Sequence, residues 1–95
     1  MRRTLLGNIR GDEGYEVRFR VGGGEIEYRE GAESIMLDAT EIAPRIVEFG
    51  LFPDARWGSP AGERAPTDAE RQRVLERVAA ALKYRGLEPK PLRSA

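Results

Sequence analysis

The segment Thr67-Asp68-Ala69-Glu70-Arg71 opens an unbroken helical pattern that runs to Gly86, and nothing else in the chain constrains the fold as tightly. Thr67 can accept a hydrogen bond from the amide three residues on, while the Glu70 carboxylate reaches back to the Thr67 amide. Together they satisfy two of the donors that a helix start leaves open. The spacing predicts a helix over residues 68–85. Its apolar positions Val74, Leu75, Val78, Ala79 and Leu82 recur at three- and four-residue steps, the stripe of a helix laid on a sheet. Arg71, Arg73, Glu76, Arg77, Lys83 and Arg85 are largely left for water. Asp68 and Glu70 at the start and Lys83 and Arg85 at the end complement the helix dipole, each worth roughly 0.3–1 kcal/mol. Gly86 can adopt left-handed backbone and turn Leu87 back towards Leu82, and Pro89 and Pro91 prevent the helix from continuing.

Such a helix needs an apolar surface to cover, and the first half of the chain supplies it. Tyr15, Val17, Phe19 and Val21 alternate with Glu16, Arg18 and Arg20, the period of a half-buried strand. With Gly22-Gly23 as a two-residue loop, Phe19 faces Ile26 and Val17 faces Tyr28 on one side. On the other, Arg20–Glu25, Arg18–Glu27 and Glu16–Arg29 pair opposite charges, each contributing on the order of 0.2–1 kcal/mol. A one-residue slip would set apolar side chains against charged ones.

Glu30-Gly31-Ala32-Glu33 reads as a second tight turn. The returning strand sets Ile35 against Tyr28 and Leu37 against Ile26, with a like-charge contact between Glu25 and Asp38 on the outside. Thr4 to Ile9 reads as an edge strand, and residues 46–51 as another with Val47, Phe49 and Leu51 inward. Pro44 has no amide donor and belongs to a loop or an edge. Residues 52–66 read as an irregular connection around the single tryptophan, Trp57, and residues 92–95 as a frayed tail. The expected fold is one α+β domain over residues 1–91. It is a four- to five-stranded antiparallel meander sheet (strands about 4–9, 15–21, 24–30, 34–40 and 46–51) with one C-terminal helix packed on one face.

The 95 residues include no cysteine and no histidine. That removes disulfides, thiolate and imidazole nucleophiles, the usual zinc ligands and the imidazole proton shuttle. The run Gly22-Gly23-Gly24 leads into Glu25 and a strand, not into the helix N-terminus that a phosphate cradle requires. The Glu25–Asp38 pair would serve acid/base chemistry only if burial drove the two pKa values apart, and both residues point outward. We therefore expect no catalytic residues, no metal, no cofactor and no enzymatic activity. The basic start holds an apolar run of two leucines, too short for a signal-peptide core or a membrane span, which predicts a cytoplasmic protein without membrane contact.

The net charge is zero but segregated. Residues 1–24 carry five basic and three acidic groups (+2), residues 25–50 two and seven (−5), and residues 51–95 nine and six (+3). The acidic middle disfavours a nucleic-acid backbone, which needs clustered Lys and Arg, and suits a basic protein partner. Candidate partner-binding residues are Glu25, Glu27, Asp38 and Glu48 on the outer sheet face, with Arg56 and Trp57 at its edge. Trp57 reads two ways, as a lid over one end of the core or as an interface anchor.

The order Gly-Glu-Ile-Glu-Tyr (24–28), Ser-Ile-Met-Leu-Asp-Ala (34–39), Trp57-x-x-Pro60, then Thr-Asp-Ala-Glu-Arg (67–71) with Val74-Leu75, Ala81-Leu82 and Arg85-Gly86 spans about two thirds of the chain. It resembles a family of small predicted immunity proteins of bacterial polymorphic toxin systems. The resemblance implies a non-enzymatic protein that binds and silences a cognate toxin, and it carries no position-specific functional residues. The alternative is a small nucleic-acid or regulatory module using Arg71, Arg73, Arg77 and Lys83 on the basic side of the helix. An open sheet edge also leaves room for a homodimer.

Overall fold

The computed structural model describes residues 2–3, 8–11, 14–19 and 24–91. Residues 4–7 of the expected first strand, Arg20 and its pairing with Glu25, Val21, the Gly22-Gly23 loop and the tail 92–95 lie outside them. The described elements are β1 (Arg2–Arg3), β2 (Ile9–Arg10), β3 (Tyr15–Phe19), β4 (Gly24–Glu30), β5 (Glu33–Ala43), β6 (Ile46–Leu51), β7 (Trp57–Ser59), β8 (Gly62–Arg64), α1 (Asp68–Tyr84) and β9 (Glu88–Pro91).

The α+β class holds, but the sheet is larger than expected and mixed. Its strands run β1-β2-β3-β4-β5-β6-β9, with β7 joined to β5 and β8 to β7. Neighbours are antiparallel except β6 and β9, which run parallel. A four- to five-stranded antiparallel meander is therefore incorrect on both counts. β9 was hidden because Glu-Pro-Lys-Pro carries no strand signal. It is admitted because Glu88 turns its amide to β6, donating to the Arg45 carbonyl at 2.7 Å. By strand alternation the nitrogens of Pro89 and Pro91 then face the outer edge, where no donor is needed. Residues 52–66 are also more ordered than an irregular connection. β6 covers β5 only from Leu37 onward, so the same edge of β5 stays open at Ser34, and Gly58 of β7 pairs there.

The central hairpins take the register the charges and apolar residues demand. Phe19 opposes Ile26, Val17 opposes Tyr28, Arg18 opposes Glu27 and Glu16 opposes Arg29. On the next strand Ile35 opposes Tyr28, Leu37 opposes Ile26 and Asp38 opposes Glu25. β5 and β6 meet at the two-residue turn Pro44-Arg45, where Arg45 has φ 66°. Pro44 sits where its fixed φ suits the first position of that turn.

One face of the sheet is buried under α1. Ile9, Val17, Ile26, Tyr28, Ile35, Leu37, Val47 and Phe49 form the core with Val74, Val78, Ala81 and Leu82 of the helix. Ala81 takes a central place that the sequence stripe did not give it, while Leu75 and Ala79 pack at the flank. The capping box is complete, with the Glu70 amide donating to Thr67 Oγ1 at 3.1 Å and the Thr67 amide to Glu70 Oε1 at 2.9 Å. A Thr at this position is worth about 1 kcal/mol over Ala. The other end closes as a Schellman turn. Gly86, at φ 82°, donates to the Lys83 carbonyl, and Leu87 donates to that of Leu82 and packs on the core.

Candidate functional site

Two groups of polar side chains stand out, one in the seam between helix and sheet and one on the uncovered sheet face. In the seam, Glu30 and Glu33 flank the β4–β5 turn and meet arginines from α1 and β8. Arg64 forks between two carboxylates, to Glu33 at 2.8 and 2.9 Å and to Glu70 at 2.9 and 2.8 Å. Arg73 donates to Glu30 at 3.2 and 3.0 Å. The Tyr28 hydroxyl donates to Glu30 Oε2 at 2.7 Å and accepts from Arg77 Nη1 at 2.9 Å. Bidentate, charge-assisted bonds of this kind are geometrically specific as well as strong.

The electrostatics follow from these contacts. Burial pushes the Tyr28 phenol up to about 12, with the hydrogen bond from Arg77 opposing it and Glu30 adding to it. The Arg64 guanidinium and the backbone amide of Thr67 bring Glu70 down to about 2, and Glu70 and Glu33 raise Arg64 in turn. The expectation that Arg73 and Arg77 lie in water is thus corrected, because both are spent on the seam. Of the four residues of the basic-helix alternative, Arg71 reaches only the Phe52 carbonyl at 3.5 Å and Lys83 is exposed.

Trp57 belongs to this seam. Its side chain is 1% exposed, its indole lies 5.9 Å from the Tyr28 ring, and the Arg64 guanidinium sits 5.6 Å from its centre. Tyr28 in turn stacks on Tyr15 at 5.7 Å, and Arg77 lies 4.5 Å over Tyr15. The tryptophan therefore covers one end of the core on the helix side of the sheet. Arg56, beside it, is exposed. An acidic outer face with the indole at its edge does not form a single surface, since the two lie on opposite sides of the sheet. The buried Trp57 Nε1 has no hydrogen-bond partner among the described residues.

The uncovered face carries the other candidates. Glu25 and Glu27 alternate on β4, Asp38 lies across from Glu25 on β5, and Glu48 lies across from Thr40 on β6 and beside Lys90 of β9. Glu27 is held by Arg18 at 3.8 Å. Glu25, Asp38 and Glu48 have no ion-pair partner among the described residues. The structure thus groups Glu25, Glu27 and Asp38, and places Glu48 one step along the diagonal.

The same face has a second, basic end that the sequence pattern alone does not single out. Arg10, Glu16 and Arg29 stand in one row across β2, β3 and β4, and Arg18 bonds Glu16 at 3.3 Å from the next row. With Tyr15, Gly14 and Gly31 these residues line a groove of about 450 Å³. Its signal was the alternation of β3, but the expected first strand stopped at Ile9 and left Arg10 out. Among the described residues no group of His, Cys, Asp or Glu is placed to hold a metal, and no helix is long and apolar enough to cross a membrane.

The chain matches no protein-family model, no curated protein and no solved structure.

Proposed function

We propose that this chain is a non-enzymatic, immunity-type protein that binds a cognate toxin domain through the uncovered sheet face and occludes it. The observation that carries this reading is the group Glu25, Asp38 and Glu48, three carboxylates on a face the helix leaves bare, with no ion-pair partner among the described residues. Unpaired charge of one sign steers a partner of the other and speeds the encounter, and a few desolvated contacts then set the residence time. The resemblance of the motif order supplies the class of partner. Trp57 serves as scaffold in this reading, and the seam leaves Arg73 and Arg77 too occupied to grip phosphates.

The test is co-expression with the toxin encoded beside the gene. The parent chain should rescue growth and co-purify one-to-one, whereas Glu25→Lys with Asp38→Lys should lose both while melting at an unchanged temperature. Equal protection by the charge-reversed chain would sink the proposal.

A further inference from the structure

We infer that in the absence of another partner the uncovered sheet face docks on the same face of a second copy, in an antiparallel, two-fold arrangement. The inference goes beyond the toxin-binding reading and is tested without a toxin, so either can fail alone.

The argument starts from the charge map of the face. One end is basic, with Arg10 and Arg29 unpaired among the described residues and Arg18 shared between Glu16 and Glu27. The other end is acidic, with Glu25, Asp38 and Glu48 unpaired among the described residues. Arg10 on β2 and Asp38 on β5 are three strands apart, at least about 14 Å at ordinary strand spacing. That exceeds the screening length of about 8–10 Å in physiological salt, so Arg10 and Asp38 do not neutralise each other within one molecule.

A two-fold axis in the plane of the interface, perpendicular to the line from the basic to the acidic end, reverses this polarity and sets each basic end over the acidic end of the other copy. Both contacts form at once, as an isologous interface requires. The net charge of zero adds no overall repulsion between copies. At one edge of the sheet, Pro89 and Pro91 remove the donors from the outer side of β9, which disfavours edge-to-edge pairing there. The matching charge pattern is present on this face itself, basic at Arg10 and Arg29 and acidic at Glu25, Asp38 and Glu48. Because it carries few apolar side chains, the dimer belongs to the weak, wet, salt-sensitive class.

The experiment is sedimentation velocity over a concentration series at low and moderate salt, about 50 and 300 mM. The parent chain should show a reversible monomer–dimer equilibrium whose dissociation constant rises at least roughly tenfold with the added salt. Two charge reversals then test the geometry, Arg10→Glu with Arg29→Glu at one end and Glu25→Lys with Asp38→Lys at the other. Each reversed chain alone should be monomeric, because like charges now meet. An equimolar mixture of the two should recover a heterodimer, because both contacts are again complementary.

A parent chain that stays monomeric at low salt overturns the inference. So do a dimer that salt leaves untouched, reversed chains that dimerise like the parent, and a mixture that stays monomeric. Should either reversed chain fail to melt cooperatively, Arg29→Gln and Asp38→Asn replace them, and each must weaken the dimer for the inference to stand.

Discussion

A side chain at Gly11 would run into the Tyr15 ring, and the backbone gives it no retreat, since the Gly11 amide is bonded to the Tyr15 carbonyl at 3.0 Å. The ring cannot step aside cheaply either. It is stacked on Tyr28 and capped by Arg77, so any shift is passed to the seam. Gly11→Ala is therefore expected to cost about 1–3 kcal/mol, the range for overpacking, read from urea unfolding. Arg45 presents the opposite case. It holds φ 66° so that its carbonyl can meet the Glu88 amide at 2.7 Å, and a residue with a Cβ is strained there by roughly 1–2 kcal/mol. Glycine takes the same angle without that strain but loses more backbone entropy on folding. The balance makes Arg45→Gly stabilising by up to about 1 kcal/mol. A rise in the urea midpoint with an unchanged slope would show it, and a fall would mean the guanidinium makes a contribution that the backbone argument omits.

At the level of elements, β9 is an edge strand whose sequence defends it. Glu88 and Lys90 turn inward to β6 while Pro89 and Pro91 present an outer edge without amide donors. Replacing both prolines with valine restores those donors and raises strand propensity, so the double variant should associate edge to edge. Such association grows with protein concentration and, unlike a charge-driven contact, is not weakened by salt, which sedimentation at two salt concentrations separates. The same strand shows why some of the fold was legible in the residues and some was not. The capping box, the Gly86 stop and the registers of β3, β4 and β5 were readable because each is set by residues close in sequence whose chemistry permits one solution. β9 was not, because its pairing with β6 is made across α1 and its prolines argue against a strand unless the edge is known. β7 and β8 were hidden for a related reason, since three-residue strands rich in glycine carry no alternation. In the candidate site the acidic residues were readable from β4 and β5. The basic end required Arg10 on β2 to be laid beside β3, and Trp57 could be assigned to a side only once its loop was seen to pair with Ser34.

Across the whole molecule, one seam joins parts that lie far apart in the chain, and its ionisable groups make stability depend on pH at both extremes. Arg64 ties the β7–β8 hairpin to the start of α1 through Glu70 and to the β4–β5 turn through Glu33, and Arg73 and Arg77 tie the helix to the same turn through Glu30. Glu70 sits at about 2, below its ordinary 4.5, held there by Arg64 and the Thr67 amide. A carboxyl depressed in the folded state stabilises above its unfolded pKa and loses that contribution as pH falls from about 4.5 towards 2. Because the Glu70–Arg64 pair faces solvent, the loss should be small and shrink with salt. Tyr28 works in the other direction. Its phenol is pushed up to about 12 from 10, so between those values the folded chain keeps a proton that the unfolded chain has released. Stability then falls as pH rises through that window. Melting curves of the parent chain and two variants resolve the two limbs. Glu70→Gln removes the acid-sensitive group, so its melting deficit relative to the parent should narrow as pH drops towards 2. Tyr28→Phe removes the alkaline one, and its deficit should narrow between pH 10 and 12. The hydroxyl it deletes bonds Glu30 and Arg77, which still reach each other at 3.4 Å, so the variant folds and the comparison can be made. Parallel curves for Tyr28→Phe and the parent across the alkaline window would place the phenol at its ordinary value, and the seam would then be wetter than its buried hydroxyl implies.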